Sequence, residues 1–309
     1  MVSKRNAIKY KDRAEWLQAR RKGIGGSDAS AIMGQNPWAS PLTVYLDKTG
    51  IAAEKAESEA MRQGIDCEEV VAQRFMRETG IKLKRCNVII QHPEYPWMLA
   101  SIDRDVVGHN AGFEAKTTSP FNRTDFSEGS IPPNYYWQCQ HYMAVTGAEE
   151  WYLAVMIFST AFHVFKIPRD EVAIAQLIEA ERDFWQNYVE AGITPFPSGI
   201  DADDAAIDSM YAARRDRPAD IGDMRQQLEI LALHEQEAKA LDEKIKAIKQ
   251  QLKLRMGECT TASCGRFLIT WRDETRTTLD TKRLKAEQPE TFAMYAKTSV
   301  SRPLKIKEA

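Results

Sequence analysis

Three charged residues in the first half of the chain have the types and spacing of a metal-dependent hydrolytic site. Glu114 follows Asp103 by eleven positions, and Lys116 lies two positions beyond Glu114. Side chains two apart on a strand leave the same face, so a strand here would place Glu114 and Lys116 together. A turn predicted at residues 108–111 would fold Asp103 back beside them.

Two carboxylates and an ammonium group on one face of a sheet are costly to bury unless a partner offsets their charge. Oxygen ligands from Asp and Glu suit Mg²⁺ or Mn²⁺. The lysine would then orient or deprotonate a metal-bound water for in-line attack on a phosphodiester. The alternative is that Asp103, Glu114 and Lys116 are ordinary solvated cross-strand charges. Asp105 also competes with Asp103 as the metal ligand, because both lie on the same strand face.

Helical and strand patterns alternate along the segment that must position these residues, which predicts an α/β fold with a central mixed sheet flanked by helices. A capped turn at residues 24–28 precedes a short helix through Ile32, which Ser27 or Asp28 would cap. Further helices are predicted over 14–21, 41–47, 58–78, 135–145 and 170–190. Strands are predicted over 82–91, 97–107, 112–117, 151–158 and 161–167.

The motifs of this segment resemble those of the PD-(D/E)xK nuclease core and, more narrowly, of the YqaJ-like viral recombinases and lambda-type exonucleases. Ile102 stands where that pattern expects proline, a position at which many members vary. The resemblance spans roughly residues 10–190 in a consistent order. It is carried by Ser101-Ile102-Asp103, Glu114-Ala115-Lys116 and Gln138-x-x-x-Tyr142, and by Trp16–Arg20, Gly23–Ser27, Gly64-x-x-x-Glu68, Phe121–Phe126 and Ala144–Gly147.

The resemblance implies a metal centre with named ligands. Asp103, Glu114 and the main-chain carbonyl of Ala115 would bind Mg²⁺, with Mn²⁺ possible in its place. Glu68 would be a supporting acid near a second metal position. Lys116 would activate the attacking water.

The resemblance also implies how DNA is held at the site. Gln138 would orient the water, the lysine or the scissile phosphate. A 5′-terminal phosphate would be bound through bidentate guanidinium contacts and hydroxyl donors supplied by Arg20, Ser27, Ser101 and Arg123.

The function implied is Mg²⁺-dependent 5′→3′ exonuclease activity on linear double-stranded DNA, which leaves 3′ single strands for phage-type recombination. The resemblance further implies a ring-shaped homo-oligomer, often a trimer, and a single-strand annealing protein as partner. An endonuclease with the same core is the alternative enzyme, and a non-catalytic DNA-binding scaffold is the alternative class. The intact Asp103, Glu114, Lys116 and Gln138 argue against the scaffold, whereas the core does not separate exonuclease from endonuclease.

Composition indicates a folded protein; the net charge argues against a nucleic-acid partner, but the charge distribution leaves that question open. The 309 residues are 43% hydrophobic and 28% charged, which argues against a disordered or fibrous chain. The net charge of −2 conceals basic segments at 1–23 and 276–307, and phosphate backbones respond to such patches. No apolar run suits a membrane span or a secretory signal, and five scattered cysteines indicate reduced thiols rather than disulfides or a metal cluster, so we expect a cytoplasmic protein. The family resemblance implies a phage or prophage protein in a bacterial host cell.

A proline- and glycine-rich break at residues 194–199 predicts a domain boundary. It divides the chain into a nuclease domain, residues 1–199, and a helical extension, residues 200–309, with a basic C-terminal segment. The extension is predicted to hold a long amphipathic helix over 221–256, one arm of a coiled-coil hairpin, then a strand over 267–272 and a helix over 281–296.

Overall fold

A computed structural model of the chain describes residues 6–52, 58–211, 213, 217–298 and 302–307, and only the backbone at 123, 127 and 128. Two compact units divide it, Met1–Asp216 and Arg217–Ala309. None of the helices formed by the described residues has the length and apolar character of a membrane span.

The elements of the first unit follow the predicted alternation of helices and strands, with an unpredicted short strand at the start and an unpredicted helix at the end. Its helices are α1 (Arg13–Arg21), α2 (Gly26–Ile32), α3 (Pro41–Lys48), α4 (Glu59–Thr79), α5 (Pro133–Thr146), α6 (Glu171–Phe184) and α7 (Asp201–Met210). Its strands are β1 (Asn6–Ile8), β2 (Leu83–Arg85), β3 (Ile89–Gln91), β4 (Leu99–Ala100), β5 (Arg104–Val106), β6 (Ala111–Thr118), β7 (Glu150–Ile157) and β8 (Ala161–Pro168). A 3₁₀ segment, Pro120–Gly129, precedes α5, and π-helical turns at Trp185–Glu190 extend α6.

A five-stranded sheet among the described residues has the order β2-β5-β6-β7-β8. Its central pair, β6 and β7, is parallel, and the remaining pairs are antiparallel. Parallel neighbours need a crossover connection, which α5 provides between β6 and β7. A smaller sheet has the order β1-β3-β4.

Two predicted strands are each broken into parts that join different sheets. Residues 82–91 form β2 and β3, and residues 97–107 form β4 and β5. The second break falls at 101–103, where the backbone leaves the ladder. There the Asp103 carboxylate, rather than a main-chain carbonyl, accepts the N–H of Ala115 at 2.8 Å. A single long strand at 97–107 is therefore wrong, and Asp103 lies between the two strands rather than within one.

Helices cover both faces of the sheet around β6. On one face, Phe75 of α4 packs against Phe113, with ring centroids 4.9 Å apart. On the other face, Trp151 belongs to the cluster that includes Met143 of α5. Gly112 allows this packing, because a Cβ there would lie 2.1 Å from the Trp151 ring. The predicted α/β architecture, a mixed sheet between helices, is confirmed.

Helix α7 belongs to the first unit, although the predicted boundary at residue 199 precedes it. Its buried Asp203 contacts the Ser40 hydroxyl and accepts the Ser198 N–H at 2.6 Å. Ala206 packs in the cluster that contains Leu42 of α3. The first compact unit therefore ends at Asp216, because these contacts tie α7 to α3.

The second unit begins with a 3₁₀ turn, Gly222–Met224, and the 32-residue helix α8, Arg225–Met256. A hairpin of β9 (Thr261–Cys264) and β10 (Phe267–Thr270) follows. The helix predicted over 281–296 is two helices, α9 (Thr281–Glu287) and α10 (Pro289–Tyr295), because proline lacks the N–H that a continuous helix needs. No second long arm follows α8 among the described residues of this unit.

A buried ion pair joins α5, α6 and β4. His141 Nδ1 lies 2.7 Å from a Glu181 carboxylate oxygen, and its Nε2 lies 2.9 Å from the Leu99 carbonyl. Both ring nitrogens face acceptors, so the imidazolium, which donates from both, fits the site. Burial disfavours the charged ring, but the Glu181 carboxylate outweighs it and raises the pKa of His141.

Replacing Glu181 with alanine should destabilise the fold, because a buried imidazolium would lose its counter-charge. We expect the free energy of unfolding to fall by about 3–5 kcal/mol. Urea denaturation followed by circular dichroism measures the change. Glu179→Ala on the exposed face of the same helix is the matched control and should change stability by less than about 0.5 kcal/mol. Equal effects of the two substitutions would contradict a structural role for the pair.

Two truncations test where the first unit ends. A chain of residues 1–216 should unfold cooperatively, whereas a chain of residues 1–199 lacks α7 and leaves part of the α3 surface uncovered. The shorter chain should melt at lower temperature, by roughly 2–4 °C for each kcal/mol of lost contact. Thermal unfolding measured by calorimetry makes the comparison, and equal melting temperatures would place the boundary at the earlier break.

Candidate active site

The predicted site residues converge on one cleft of about 810 Å³ in the first unit. β6, α5, α4 and the segment 101–103 supply its floor and one wall, while α1 and α2 supply the opposite wall. Arg123 falls in the 3₁₀ segment, and its side chain lies outside the described residues. The predicted residues that line the cleft are Arg20, Ser27, Glu68, Ser101, Asp103, Glu114, Ala115, Lys116 and Gln138.

The two oxygens of the Glu114 carboxylate have different surroundings. Lys116 Nζ lies 2.6 Å from Oε1, and the Gln138 amide donates to the same oxygen at 2.7 Å. Oε2 is buried and has no hydrogen-bond partner among the described residues. A buried carboxylate oxygen without a donor costs free energy, so a ligand of positive charge would satisfy it. Glu114 itself is only 4% exposed.

Asp103 lies beside Glu114, immediately before the first residue of β5. Its Oδ2 accepts the N–H of Ala115 at 2.8 Å. A residue in an antiparallel ladder directs its N–H and its C=O to the same neighbouring strand. The Ala115 carbonyl is therefore directed to the side on which Asp103 lies. Burial, together with the negative charge of Glu114, raises the pKa of Asp103 well above its usual range. The carboxylate pair therefore favours a cation between its members.

Lys116 supplies part of that positive charge. Burial disfavours its ammonium form, but the carboxylates of Glu114 and Asp103 outweigh burial and raise the pKa of Lys116. Its Nζ also lies 5.3 Å from the centroid of the Tyr135 ring, a cation–π distance. Lys116 is thus charged and held against Oε1 of Glu114, which leaves Oε2 available to another cation.

These donors fit a divalent ion of the Mg²⁺ type. The carboxylates of Asp103 and Glu114 and the carbonyl of Ala115 are all hard oxygen ligands, and Mg²⁺ is commonly bound by one or two carboxylates with water completing its shell. Groups of three or more His, Cys, Asp or Glu side chains able to hold a metal do not occur among the described residues. A metal ion bound here would therefore have two carboxylate ligands and would not be enclosed by protein side chains.

Glu68 lies on the cleft wall, where a neighbouring arginine engages it. The buried Arg104 places Nη2 at 3.2 Å from Glu68 and at 3.0 Å from Glu69. Burial raises the pKa of Glu68, although the charge of Arg104 opposes that shift. Glu68 thus faces the cleft while one of its oxygens is committed to Arg104.

The opposite wall carries the predicted phosphate-binding residues. Arg20 Nη2 donates to the Ser27 hydroxyl at 2.9 Å, and its guanidinium lies 4.8 Å from the centroid of the Trp16 ring. The indole N–H of Trp16 donates to the Ser101 hydroxyl at 3.0 Å. One connected group therefore joins Arg20 and Ser27 to the segment that holds Asp103.

The loop before α2 is fixed by a buried charge network. Asp28 accepts the Gly25 N–H at 2.9 Å, and its carboxylate lies 2.6 Å from Nζ of the buried Lys48. Burial opposes ionisation of Asp28, but the charges of Lys48 and Arg20 outweigh it and lower its pKa. The N-cap residue of α2 is Gly25 rather than the predicted Ser27 or Asp28, and the Asp28 side chain contributes to the cap by accepting the Gly25 N–H. The Ser27 hydroxyl is instead oriented by Arg20.

Sequence reasoning did not assign roles to three residues that shape the cleft. Trp16 connects Ser101 to Arg20, and the spacing of four residues between Trp16 and Arg20 on α1 could have indicated the contact. Arg104 and Lys48 gave no local signal, because their carboxylate partners are distant in the sequence.

Comparisons with solved structures agree with this architecture. An alkaline exonuclease from Laribacter hongkongensis, LHK-Exo, superposes with a TM-score of 0.51 and 23% identity, covering 58% of this chain and 94% of that one. Its complex with dAMP gives a TM-score of 0.50 and 24% identity over the same shares of the two chains. These likenesses show the fold, and they confirm the predicted restriction-endonuclease-like class.

Sequence relatives define the family. The model of the YqaJ-like viral recombinase domain matches residues 15–149. A protein of Acanthamoeba polyphaga mimivirus, R354, is 22% identical over 149 residues, which cover 44% of this chain and 27% of that protein. The Bacillus subtilis protein YqaJ is 35% identical over 317 residues, covering 100% of this chain and 99% of its own length. With that identity over its whole length, and with the nuclease-type site described above, the chain belongs to the YqaJ family of viral recombinase-like proteins.

Proposed function

We propose that this protein is a Mg²⁺-dependent exonuclease that degrades linear double-stranded DNA from its 5′ ends and leaves 3′ single strands for recombination. The observation that carries the proposal is the Glu114 carboxylate, with Lys116 and Gln138 on one oxygen and a buried, unpartnered second oxygen beside Asp103. A cleft that also contains Arg20 and serine hydroxyls suits a phosphodiester substrate.

In this proposal Asp103, Glu114 and the carbonyl of Ala115 hold the cation, Mg²⁺ or Mn²⁺, and Glu68 supports a second position. When bound, the ion supplies charge stabilisation for the phosphoryl oxygens and acidifies a coordinated water. Glu68 would support the second cation position from the cleft wall, where Arg104 fixes the orientation of its carboxylate.

Lys116 and Gln138 complete the reacting centre. The ammonium of Lys116 orients the attacking water and stabilises the charge that develops on the phosphate. Gln138 donates to Glu114, and its amide nitrogen also lies 2.8 Å from the Tyr142 hydroxyl oxygen. Its position between these two buried residues supports a role in holding Glu114 in the orientation that binds the cation.

A 5′-terminal phosphate binds, in this proposal, at the wall formed by Arg20, Ser27 and Ser101, with Arg123 as a further contact. Arg20 is already directed at the Ser27 hydroxyl, and the Trp16 ring supports its planar guanidinium. A pre-organised guanidinium loses less conformational freedom when it forms two hydrogen bonds to a phosphate.

The family supports the rest of the proposal. The matched domain is described as that of viral recombinases, and LHK-Exo of the same fold is an alkaline exonuclease. A single-strand annealing protein as partner, a homo-oligomer such as a trimer around DNA and a cytoplasmic location in a bacterial host follow from the same resemblance.

Removal of either metal-binding carboxylate should abolish cleavage. Asp103→Asn or Glu114→Gln should lower kcat on the order of 10³-fold, because the cation would lose a charged ligand. Cleavage of a labelled linear duplex in Mg²⁺ measures the rate, and isothermal titration calorimetry with Mg²⁺ alone measures binding of the ion. Asp105→Asn is the matched control, since Asp105 lies within β5 opposite Lys84 and should leave both readouts near normal. Loss of activity in Asp105→Asn with an active Asp103→Asn would mean that the wrong aspartate was chosen.

The chemistry of the DNA end should control initiation. A 5′-phosphorylated duplex should be degraded roughly tenfold or more faster than a 5′-hydroxyl duplex, because charge-assisted hydrogen bonds contribute about 1.5–3 kcal/mol. Arg20→Ala should remove most of that ratio. Arg21→Ala, whose side chain lies towards Asp47 instead, is the control that should retain it. Equal rates on the two ends in the unmodified protein would exclude the phosphate site.

Cleavage of linear and of covalently closed circular duplex DNA distinguishes an exonuclease from an endonuclease. An exonuclease should degrade the linear DNA and leave the circle intact, because it needs an end. Agarose gels after incubation with Mg²⁺ show the outcome. Nicking of the circle would establish an endonuclease, and metal-dependent cleavage of neither substrate would favour a DNA-binding scaffold.

A further inference from the structure

Helix α8 carries an apolar stripe that is open to solvent. Ala238 lies between the N-terminal and C-terminal parts of this stripe. With Ala238 included, the apolar residues recur every three or four positions, apart from one interval of seven between Leu231 and Ala238, as in a heptad repeat. Its larger side chains are between 37% and 57% exposed, namely those of Leu228, Leu231, Leu241, Ile245, Ile248 and Leu252. An exposed heptad stripe on a helix of about 48 Å is typical of one strand of a coiled coil.

The charges of α8 are segregated along its length. Residues 225–243 contain five acidic and two basic side chains, whereas residues 244–256 contain five basic side chains and no acidic one. A parallel pair of such helices would align the five basic residues with their own copies, which is unfavourable. An antiparallel pair would place each acidic half beside a basic half.

We propose that α8 forms an antiparallel coiled coil with α8 of a second copy of this chain. The apolar stripe is compatible with the same arrangement, because it extends over both halves of the helix. An antiparallel register with its midpoint between Lys239 and Ala240 places Leu231 opposite Ile248 and Ala238 opposite Leu241. The segregated charges thus favour a second copy of α8 in the antiparallel direction. The pairing is independent of the nuclease activity proposed above.

The first test is the mass of the full chain in solution. Ile245→Glu places a charge in the stripe and should lower the mass measured by sedimentation velocity at micromolar concentration by a factor of two. Leu254→Glu is the matched control, since Leu254 lies off the stripe and is 86% exposed, and it should leave the mass unchanged. Circular dichroism of both variants verifies that the helix is retained. An unchanged mass in Ile245→Glu would overturn the proposal and assign the stripe to a different partner.

The second test is the direction of the pair. Chains carrying Leu231→Cys or Ile248→Cys, each with Cys259→Ser and Cys264→Ser, are oxidised separately and as a mixture. The antiparallel pair predicts a disulfide between the two variants only in the mixture, because position 231 lies about 26 Å from its own copy and a disulfide needs Cα atoms within about 7 Å. Peptide mass spectrometry identifies the linked residues. Cross-linking of either variant with itself, or none in the mixture, would overturn the antiparallel arrangement.

Discussion

Repulsion between two neighbouring carboxylates is the constraint around which this site is organised. Asp103 and Glu114 are brought together by the β5–β6 hairpin, and burial at that place raises the free energy of two negative charges. The protein offsets part of this cost with Lys116 and Gln138, and both of them contact the same oxygen of Glu114. The second oxygen remains unpartnered among the described residues. The unpartnered oxygen of Glu114, next to the Asp103 carboxylate, favours binding of a positive charge on that side. A metal-dependent nuclease requires this property.

Helix α5 couples that charge balance to the fold. As the crossover between the parallel strands β6 and β7, it lies over the face of the sheet that carries Glu114 and brings Gln138 into contact with it. One turn later His141 binds the Leu99 carbonyl on β4 and the Glu181 carboxylate on α6. β4 leads directly into the segment that ends at Asp103. A single helix therefore positions both carboxylates, one through a hydrogen bond from Gln138 and the other through the strand anchored by His141.

The sequence predicted most of the elements, and the meeting of Asp103, Glu114, Lys116 and Gln138 in one cleft, because their signals are local. The alternation around Glu114 and Lys116, the turn at 108–111 and the helix of Gln138 can each be read from a few neighbouring residues. The break at Ser101–Asp103 could not be predicted, since it depends on a hydrogen bond to Ala115, twelve positions away from Asp103. The placement of α7 likewise depends on contact between Asp203 and Ser40, which no local pattern indicates.

The same break explains how the proposed phosphate-binding residues and the proposed metal ligands stay in a fixed relation. Ser101 accepts a hydrogen bond from Trp16, which supports Arg20, and Asp103 lies only two residues further along the chain. Two extended residues span at most about 7 Å, so Ser101, one of the proposed phosphate-binding residues, stays near the proposed metal ligand Asp103. Under the proposed function, a DNA end held at Ser101 would therefore present its terminal linkages, rather than internal ones, to Asp103 and Glu114.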